Sequence, residues 1–407
     1  MKRLFIIMCL APIMAYALPV RKGEHFRVQI PGEYIVSASK HKINHPIKRK
    51  LGKDLFLIKA SEISTLGIYQ AVYPNYRYYG DYLDIADNTP NDIEFNKQFH
   101  HKMIQTTKAW EVSKGDHEII VAVTDNEFQI NHKDMVNAWW KNPNEIPNNK
   151  IDDDGNGYVD DVYGWDFING DNNVDAKDET SHGTHVSGTI AAVSNNSIGG
   201  SGIAPNVKVM PLRWYDYDDP WTSAIILETY HYAVDNGAKI ISTSYNIDSM
   251  VNDKAYRAAV KYVRDNDVLI FNSAGNSGAE NPRRQQIEDI ILVCSVTSES
   301  KLKSDKKSTF SNYGSGIDIC APGDPIYATV QNPFGGEQDR YGNIRGTSMS
   351  TPVAAAVAAL IWSSHPNFTD EEVRQKLFNS ADDIYKKNSK YKGKLGAGRV
   401  NAFKAVQ

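Results

Sequence analysis

Three side chains of this 407-residue sequence, Asp125, His182 and Ser348, have the types that together perform nucleophilic catalysis. A serine hydroxyl is a poor nucleophile until a neighbouring base removes its proton, and the unperturbed pKa of histidine suits that task near neutral pH. A buried carboxylate then fixes the imidazole tautomer and stabilises its cation. The three residues therefore predict attack of a serine on an acyl carbon, provided that the fold brings them together.

Each of these residues lies in or beside a distinctive sequence block. Asp125 directly follows an apolar run that is typical of a buried strand. His182 is part of the small-residue block 181–189, which begins Ser-His-Gly-Thr-His. Ser348 lies in block 346–352, Gly-Thr-Ser-Met-Ser-Thr-Pro, ahead of a helical pattern. A helix that begins there would direct a positive dipole end and free backbone N–H groups at a developing oxyanion.

Apolar runs alternate with helical periodicities from residue 92 onward. Runs that are apolar throughout are typical of strands buried on both faces, and their alternation with helices indicates a parallel sheet. Chemistry in such sheets gathers beyond the carboxyl ends of the strands, where we expect Asp125. We therefore predict an α/β fold with a mainly parallel central sheet. The predicted strands are residues 119–123, 207–212, 240–243, 268–271 and 290–296, and the predicted helices include 224–236, 254–264 and 353–362.

The blocks around Asp125, His182 and Ser348, in that chain order, resemble the subtilisin-like serine peptidases, or subtilase family, and most closely its thermitase-type members. The resemblance extends from about residue 89 to the C-terminus. It implies the family's three-layer fold and a serine endopeptidase that works through an acyl-enzyme. Further segments that carry it are residues 105–110, 308–314, 321–323 and 398–402.

The resemblance also implies a role for each catalytic residue. Ser348 would be the nucleophile, His182 the general base and then the acid, and Asp125 the carboxylate that orients the imidazole. Asn276, in an Ala-Gly-Asn segment, would supply an oxyanion-hole amide. The implied partner is a protein or peptide substrate. The sequence contains no His-Glu-x-x-His, so it does not predict a zinc peptidase.

The N-terminal 17 residues have the composition of a secretory signal peptide. Lys2 and Arg3 precede a mostly apolar stretch, and Ala15-Tyr16-Ala17 is typical of a cleavage site. The apolar stretch is too short to span a bilayer, so we expect no stable membrane anchor after cleavage. The sequence therefore predicts a secreted or periplasmic protein.

Residues 18–88 differ in composition from the rest of the chain, and we treat them as a second region after the signal peptide. They are basic and rich in Tyr, with strand-like runs at residues 33–37 and 54–58. Residues 33–36 and 72–76 resemble the first and last strands of the inhibitory propeptide of the family. We therefore expect a small α+β propeptide domain, 18–88, before a peptidase domain, 89–407, although a permanent small domain remains the alternative.

Composition excludes some other partner classes. The chain is 41% hydrophobic and 23% charged, with a formal net charge of −4. Those values suit a soluble globular protein with a sizeable core, and a charge so near zero indicates no nucleic-acid partner. We expect a monomer whose macromolecular partners are its substrate and its own propeptide.

An acidic loop predicts a calcium site. Oxygen side chains alternate from residue 152 with a glycine at 157, which follows the start of a calcium-binding loop. Tyr163 lies where such a loop would have its bidentate Glu, so another ligand must complete the shell. The alternative is an acidic solvated turn. The predicted ligands are Asp152, Asp154, Asn156, Tyr158 and Asp160.

The resemblance implies a second calcium site that ties the N-terminal segment of the peptidase domain to an irregular loop. Asp92, Asp134 and Asn196 would supply side-chain oxygens. Val193, Ile198 and Gly200 would supply backbone carbonyls.

Cys294 and Cys320 remain after removal of the signal peptide, which carries Cys9. Both lie in apolar, strand-like runs. We favour two separate buried thiols, because the sequence cannot show that their Cα atoms are close enough for a disulfide.

Several segments on the substrate side depart from the family pattern. Residues 125–127 read Asp-Asn-Glu, residues 244–247 read Ser-Tyr-Asn-Ile without the usual glycines, and residues 282–284 read Pro-Arg-Arg. Residues 216–221 lack a Gly-rich edge. Ordinary loop drift and a narrowed cleft both explain these differences. Two rival functions follow from the second explanation: a binding protein whose cleft is blocked, and a processing peptidase with one narrow substrate.

Overall fold

The computed structural model describes residues 26–37, 47–50, 55–60, 71–79, 88–175, 182–215, 222–297, 305–331 and 340–407. The chain divides into two compact units, Met1–Asp87 and Asn88–Gln407. The predicted signal peptide, Ser181 and the segment 216–221 lie outside the described residues.

The first unit contains a four-stranded antiparallel sheet in the order β2-β3-β1-β4. The predicted run at 33–37 lies in β1 and pairs with β3, which contains residues 55–58 of the second predicted run; residue 54 lies outside the described residues. Tyr34, Val36 and Ile58 are buried in this unit. The strands are β1 (Phe26–Ser37), β2 (Ile47–Lys50), β3 (Leu55–Lys59) and β4 (Ala71–Tyr79).

The second unit is built on a seven-stranded parallel sheet, which confirms the predicted fold class. Its strands are β5 (Ile120–Asp125), β6 (Trp165–Asp166), β7 (Lys208–Arg213), β8 (Ile240–Thr243), β9 (Leu269–Ser273), β10 (Ile290–Thr297) and β11 (Ile319–Asp324). They are arranged in the order β11-β10-β9-β8-β5-β7-β6. A separate antiparallel hairpin follows, formed by β12 (Ile326–Val330) and β13 (Arg340–Ile344).

Helices pack on both faces of the parallel sheet. The helices are α1 (Phe99–Ile104), α2 (Thr106–Ala109), α3 (His182–Ala191), α4 (Ser223–Asp235), α5 (Lys254–Asp265), α6 (Thr347–Ser364), α7 (Asp370–Asn379) and α8 (Ala402–Ala405). Val121 and Val123 pack in one buried cluster with α3 and α6, and Ala122 packs in the other with α4 and α5. Strand residues point alternately to the two faces, so the unit has three layers. In the described part of the chain, no helix is both long and apolar enough to cross a bilayer.

The two cysteines form a disulfide, so our prediction of separate thiols was wrong. Cys294 and Cys320 lie directly opposite each other on the parallel strands β10 and β11, and their Cα atoms are 4.4 Å apart. That separation lies at the short end of the range that a disulfide can bridge. The pairing depends on the register of two strands, which the two apolar runs do not specify by themselves.

Candidate active site

The structure brings Asp125 and His182 into direct contact. Asp125 is the last residue of β5, and His182 is the first residue of α3. The imidazole Nδ1 lies 2.9 Å from Oδ1 and 2.8 Å from Oδ2 of the carboxylate. Only 1% of the Asp125 side chain is exposed, whereas the His182 ring keeps 26% of its surface open. The Asp125 carboxylate is therefore buried in the protein, and the His182 ring remains accessible to a substrate.

The environment of His182 favours its protonated form. Burial alone would lower the pKa of His182, but the charge of Asp125 and the hydrogen bond to it outweigh that effect and raise the pKa. A carboxylate in this position also fixes which ring nitrogen carries the proton. The remaining nitrogen, Nε2, is thereby free to accept a proton.

A glycine allows α3 to approach the end of β5. A Cβ on Gly183 would lie 2.1 Å from the backbone oxygen of Glu127 and 3.0 Å from Cβ of Asp125. Both distances are too short for any larger residue without movement of the backbone. The glycine in the His-Gly-Thr-His block therefore lets His182 reach Asp125.

Ser348 is the second residue of α6, which begins at Thr347. Its hydroxyl donates to the carbonyl oxygen of Ser244 at 3.2 Å, and the Ser244 hydroxyl donates to the carbonyl oxygen of Ser348 at 3.0 Å. Pro352 has no N–H, so the Ser348 carbonyl lacks its usual partner four residues ahead in the helix. The Ser244 hydroxyl satisfies that carbonyl. Sequence inspection did not single out this contribution of Ser244.

The side chain of Asn276 is held by its oxygen. Its Oδ1 accepts from the backbone N–H and the hydroxyl of Thr347, each at 2.9 Å. A Cβ on Gly346 would lie 3.5 Å from Nδ2, so the amide nitrogen faces the start of α6. Among the described residues, no acceptor takes a hydrogen bond from that nitrogen. This orientation leaves an N–H donor available beside Ser348.

A single side chain, Asn312, holds the loop that carries Asn276 through hydrogen bonds to its backbone. The Oδ1 of Asn312 accepts from the backbone N–H groups of Ser277 at 3.2 Å and Ala279 at 2.8 Å. Its Nδ2 donates to the carbonyl oxygen of Ala274 at 2.9 Å. The segment at 308–314, which the sequence marked only by resemblance, thus fixes the loop on both sides of Asn276.

A cavity of about 300 Å³ adjoins these residues. The ring of Tyr245 packs against Trp214 and Tyr215, with ring centroids 4.8 and 5.0 Å apart. Aromatic side chains therefore occupy a region where the family pattern has glycines. The cavity is lined by Asp125, Asn126, His182, Tyr215, Ser244, Tyr245, Asn246 and Ser348.

The residues of the second predicted calcium site meet in the structure. Both carboxylate oxygens of Asp92 accept backbone N–H groups of the loop 193–200, from Asn195 at 3.0 Å and Asn196 at 2.9 Å. The Asn196 amide donates to Oδ1 of Asp134 at 2.6 Å. Val193, Ile198 and Gly200 lie on the same loop.

The carboxylates of this cluster are poorly compensated by the protein itself. Burial, together with the nearby charge of Asp92, raises the pKa of Asp134 to about 7. Hydrogen bonds from Asn196, Tyr341 and the backbone N–H of Gly200 oppose this shift without reversing it. A buried carboxylate that lies close enough to a second carboxylate for its charge to matter fits a hard cation, which takes oxygen ligands.

The loop at 152–161 forms an acidic cluster with a member that the sequence did not indicate. Ligand oxygens of Glu145, Asp152 and Asp154 lie within 4.8 Å of one another and could hold a metal ion. Asn156 donates its amide to Asp154 at 3.3 Å. Glu145 precedes the acidic run by seven positions, and only closure of the intervening loop brings it into the cluster.

The structure does not bring Asp160 into that cluster. Its carboxylate accepts the backbone N–H groups of Asn149 at 3.0 Å and Lys150 at 2.9 Å, so it stabilises the preceding turn. Asp161 faces the cluster instead, because the Asn142 amide donates both to Asp161 and to Asp154, each at 2.9 Å. Tyr158 packs its ring against Trp165 and Tyr232.

Comparisons with known proteins agree with this geometry. The sequence model of the subtilase family matches residues 116–398. Thermitase of Thermoactinomyces vulgaris is 33% identical over 320 residues, which cover 78% of this chain and 99% of thermitase. A thermophilic serine proteinase of Bacillus sp. (strain AK1) is 32% identical over 328 residues, 80% of this chain and 71% of that protein. A solved protease structure from Pseudoalteromonas arctica matches with a TM-score of 0.59 and 27% identity, covering 78% of this chain and 98% of that one.

Proposed function

The chain belongs to the subtilase family, and from that premise we propose that Ser348, His182 and Asp125 form its catalytic triad. The protein is a subtilisin-like serine endopeptidase. The observation that carries the assignment of residues is the His182–Asp125 contact at 2.8 Å beside a cavity that Ser348 also lines.

The proposed reaction has two steps. The Ser348 hydroxyl turns from the Ser244 carbonyl toward Nε2 of His182, which takes its proton while Oγ attacks the carbonyl carbon of the substrate. The imidazolium then gives that proton to the leaving amine as the C–N bond breaks. Water, deprotonated by the same imidazole, then attacks the ester carbon, and the imidazolium returns the proton to Oγ of Ser348 as the C–O bond breaks and the acid is released.

The negative charge that develops on the substrate carbonyl oxygen needs donors. The Nδ2 group of Asn276 and the backbone N–H of Ser348 in the first turn of α6 are available for this. The first N–H groups of a helix have no partners within the helix, and the helix dipole adds favourable potential. These donors support an oxyanion hole between α6 and the loop after β9.

We assign the first 17 residues to a signal peptide, residues 18–88 to a propeptide and the remainder to the secreted or periplasmic peptidase. The signal-like N-terminus supports export, and the Cys294–Cys320 disulfide supports an oxidising destination. Parallel sheets fold slowly because their contacts are far apart in sequence, which gives a folding template a physical purpose.

The first experiment tests the nucleophile and the maturation together. A fluorophosphonate should label the mature wild-type protein at Ser348, and Ser348→Ala should abolish labelling and leave residues 18–88 attached, as measured by intact mass. Ser350→Ala is the matched control, because Ser350 lies one residue beyond Met349 on the same helix and should leave labelling intact. Labelling that persists in Ser348→Ala would refute the assignment.

We also assign calcium to the two carboxylate clusters, held by Asp92, Asp134 and Asn196 in one and by Glu145, Asp152 and Asp154 in the other. The close carboxylates in each support this assignment, because a bound cation would relieve their repulsion. A ligand that binds only the folded state raises stability by mass action.

Calcium binding is tested by thermal unfolding of the Ser348→Ala protein, which cannot digest itself. Excess calcium should raise Tm relative to EDTA, and magnesium at the same concentration should raise it less. Asp134→Asn and Asp154→Asn should each remove part of the calcium response. Equal Tm values with calcium and with EDTA would contradict the assignment.

A further inference from the structure

A buried arginine lies next to the region that holds Ser348. Arg284 is part of the short 3-10 turn Arg283–Gln286, and only 1% of its surface is exposed. Arginine is almost never fully buried unless its charge is paired. The neighbours of its guanidinium therefore show what the side chain does there.

One set of partners comes from the segment that follows β8. The guanidinium Nη1 donates to the carbonyl oxygen of Tyr245 at 3.0 Å, and Nη2 donates to Oδ1 of Asn246 at 2.5 Å. The carboxylate of Asp248 accepts from Nε at 3.1 Å and from Nη2 at 3.3 Å. Burial would raise the pKa of Asp248, but the hydrogen bond and charge of Arg284 lower it overall.

The other set comes from the end of β9 and the loop after it. Nη1 donates to the carbonyl oxygen of Ser273 at 2.5 Å, and a Cβ on Gly275 would lie 3.4 Å from Nη2. These bonds occupy all five N–H donors of the guanidinium: one on Nε and two on each Nη. Arg284 therefore fills the space between the two segments and keeps no donor for a substrate carboxylate.

This space adjoins the reacting atoms on both sides. Tyr245 follows Ser244, which exchanges hydrogen bonds with Ser348, and Gly275 precedes Asn276. An acyl group bonded to Ser348 with its oxygen on Asn276 would have these two segments as the protein surfaces beside its own side chain. The open cavity lies on the His182 side instead, and its lining includes none of residues 273–276.

We propose that Arg284 restricts the residue on the acyl side of the scissile bond, P1, to small side chains such as those of Gly, Ala and Ser. The proposal rests on the function proposed for Ser348. A larger P1 side chain would have to displace a paired guanidinium and leave Asp248 without its partner, which is strongly unfavourable for a buried pair. An acidic P1 side chain gains nothing, because every donor of Arg284 is occupied.

The test uses peptides that differ only in having Ala, Leu or Phe at P1. The wild-type enzyme should show kcat/KM falling in that order. Arg284→Ala combined with Asp248→Asn, which avoids an unpaired carboxylate, should raise the Leu to Ala and Phe to Ala ratios of kcat/KM at least about 10-fold. Arg283→Ala is the matched control, because Arg283 is exposed in the same turn and should leave the P1 profile unchanged.

Two outcomes would overturn the proposal: equal cleavage after Ala and Phe by the wild type, or unchanged ratios in a double variant that still reacts fully with a fluorophosphonate. If the double variant does not fold, the wild-type enzyme is treated with peptidyl phosphonates that carry Ala or Phe at P1. The proposal predicts that the inhibitor with Ala inactivates the enzyme faster, and equal rates would overturn it. A wild-type protein that does not react with a fluorophosphonate would refute the proposed function itself. That result differs from a failure of the P1 proposal, in which the enzyme reacts but shows no preference for small P1 side chains.

Discussion

The Oδ1 atom of Asn276 orients the side chain, whereas the Nδ2 atom is the proposed hydrogen-bond donor in the reaction. Its Oδ1 accepts two hydrogen bonds from Thr347, and an inverted amide would place its NH2 group against the backbone N–H of Thr347, which can only donate. The amide nitrogen is consequently directed at the position where negative charge would develop. Because this orientation exists before substrate binds, no reorganisation is needed during the reaction.

We predict that Asn276→Ala lowers kcat by about 10²- to 10³-fold with little change in KM, because the lost donor acts mainly in the transition state. Steady-state kinetics measure this directly. The melting curve of the variant serves as the control for folding. A loss seen in KM alone would show that Asn276 binds the ground state instead.

The raised pKa of His182 predicts where activity fails in acid. The general base must be neutral, and the charge of Asp125 holds the imidazole protonated to a higher pH than its usual 6.5. We therefore expect kcat/KM to fall as pH drops through a value above 6.5. Asp125→Asn should move that limb to lower pH and reduce kcat by about 10⁴-fold. A limb below 6.5 in the wild type would contradict this.

At the scale of elements, the start of α6 is joined to the end of β8 by a reciprocal pair of hydrogen bonds. Pro352 frees the Ser348 carbonyl, and the Ser244 hydroxyl occupies it at 3.0 Å. Pro352 therefore has a structural effect, because without its N–H the carbonyl of Ser348 accepts a hydrogen bond from outside the helix. The proposed nucleophile, Ser348, is therefore positioned by the segment that follows β8 as well as by its own helix.

This arrangement predicts energetic coupling between Ser244 and Pro352. Ser244→Ala should lower the free energy of unfolding by about 1 to 3 kcal/mol, because a partly buried carbonyl loses its donor. In a Pro352→Ala background the loss should be smaller, since the new N–H of residue 352 can bond the Ser348 carbonyl. Urea unfolding of the four proteins on a Ser348→Ala background gives the cycle. Equal losses in both backgrounds would exclude the coupling.

Elements were predictable from sequence where local pattern decides them. The predicted run 240–243 coincides with β8, and 254–264 falls within α5, because buried strands and amphipathic helices have distinct periodicities. The sequence blocks around Asp125, His182 and Ser348 were equally recognisable, and they indicated the family that the comparisons show. Features that depend on strand register or loop closure could not be predicted. The Cys294–Cys320 disulfide forms only because β10 lies beside β11, and Glu145 joins the acidic cluster only when the loop between it and Asp152 is folded.

At the scale of the whole molecule, three buried histidines link α1 to the helix that begins with His182. His101 and His185 each direct Nε2 at a backbone carbonyl, of Ser201 and Ile326, at 3.0 Å. Burial lowers the pKa of both imidazoles to about 4, although the bonded carbonyls oppose the shift. Burial, with the charges of its two neighbours, also lowers the pKa of His100 well below 6.5.

These shifts make the fold sensitive to acid. Between pH 6.5 and 4 the unfolded chain binds protons that these three folded histidines do not, so their contribution to the free energy of unfolding falls as pH falls through that window. A histidine shifted from about 6.5 to about 4 contributes a loss of about 3 kcal/mol at the lower end. The stability that these histidines contribute should therefore be fully present only above pH 6.5.

We predict that His100→Phe reduces this acid sensitivity. Both ring nitrogens of His100 are buried and have no hydrogen-bond partner in the part of the chain that the structure describes. Its ring centroid lies 4.4 Å from that of His101, so an aromatic apolar ring should fit the site. Stability at pH 7 should be maintained or rise, because an unsatisfied polar group is removed. Urea unfolding across pH 4 to 7 on the Ser348→Ala background should show a smaller slope than in the parent. His117→Ala, at an exposed site, should leave the slope unchanged, and an equal slope for His100→Phe would refute the prediction.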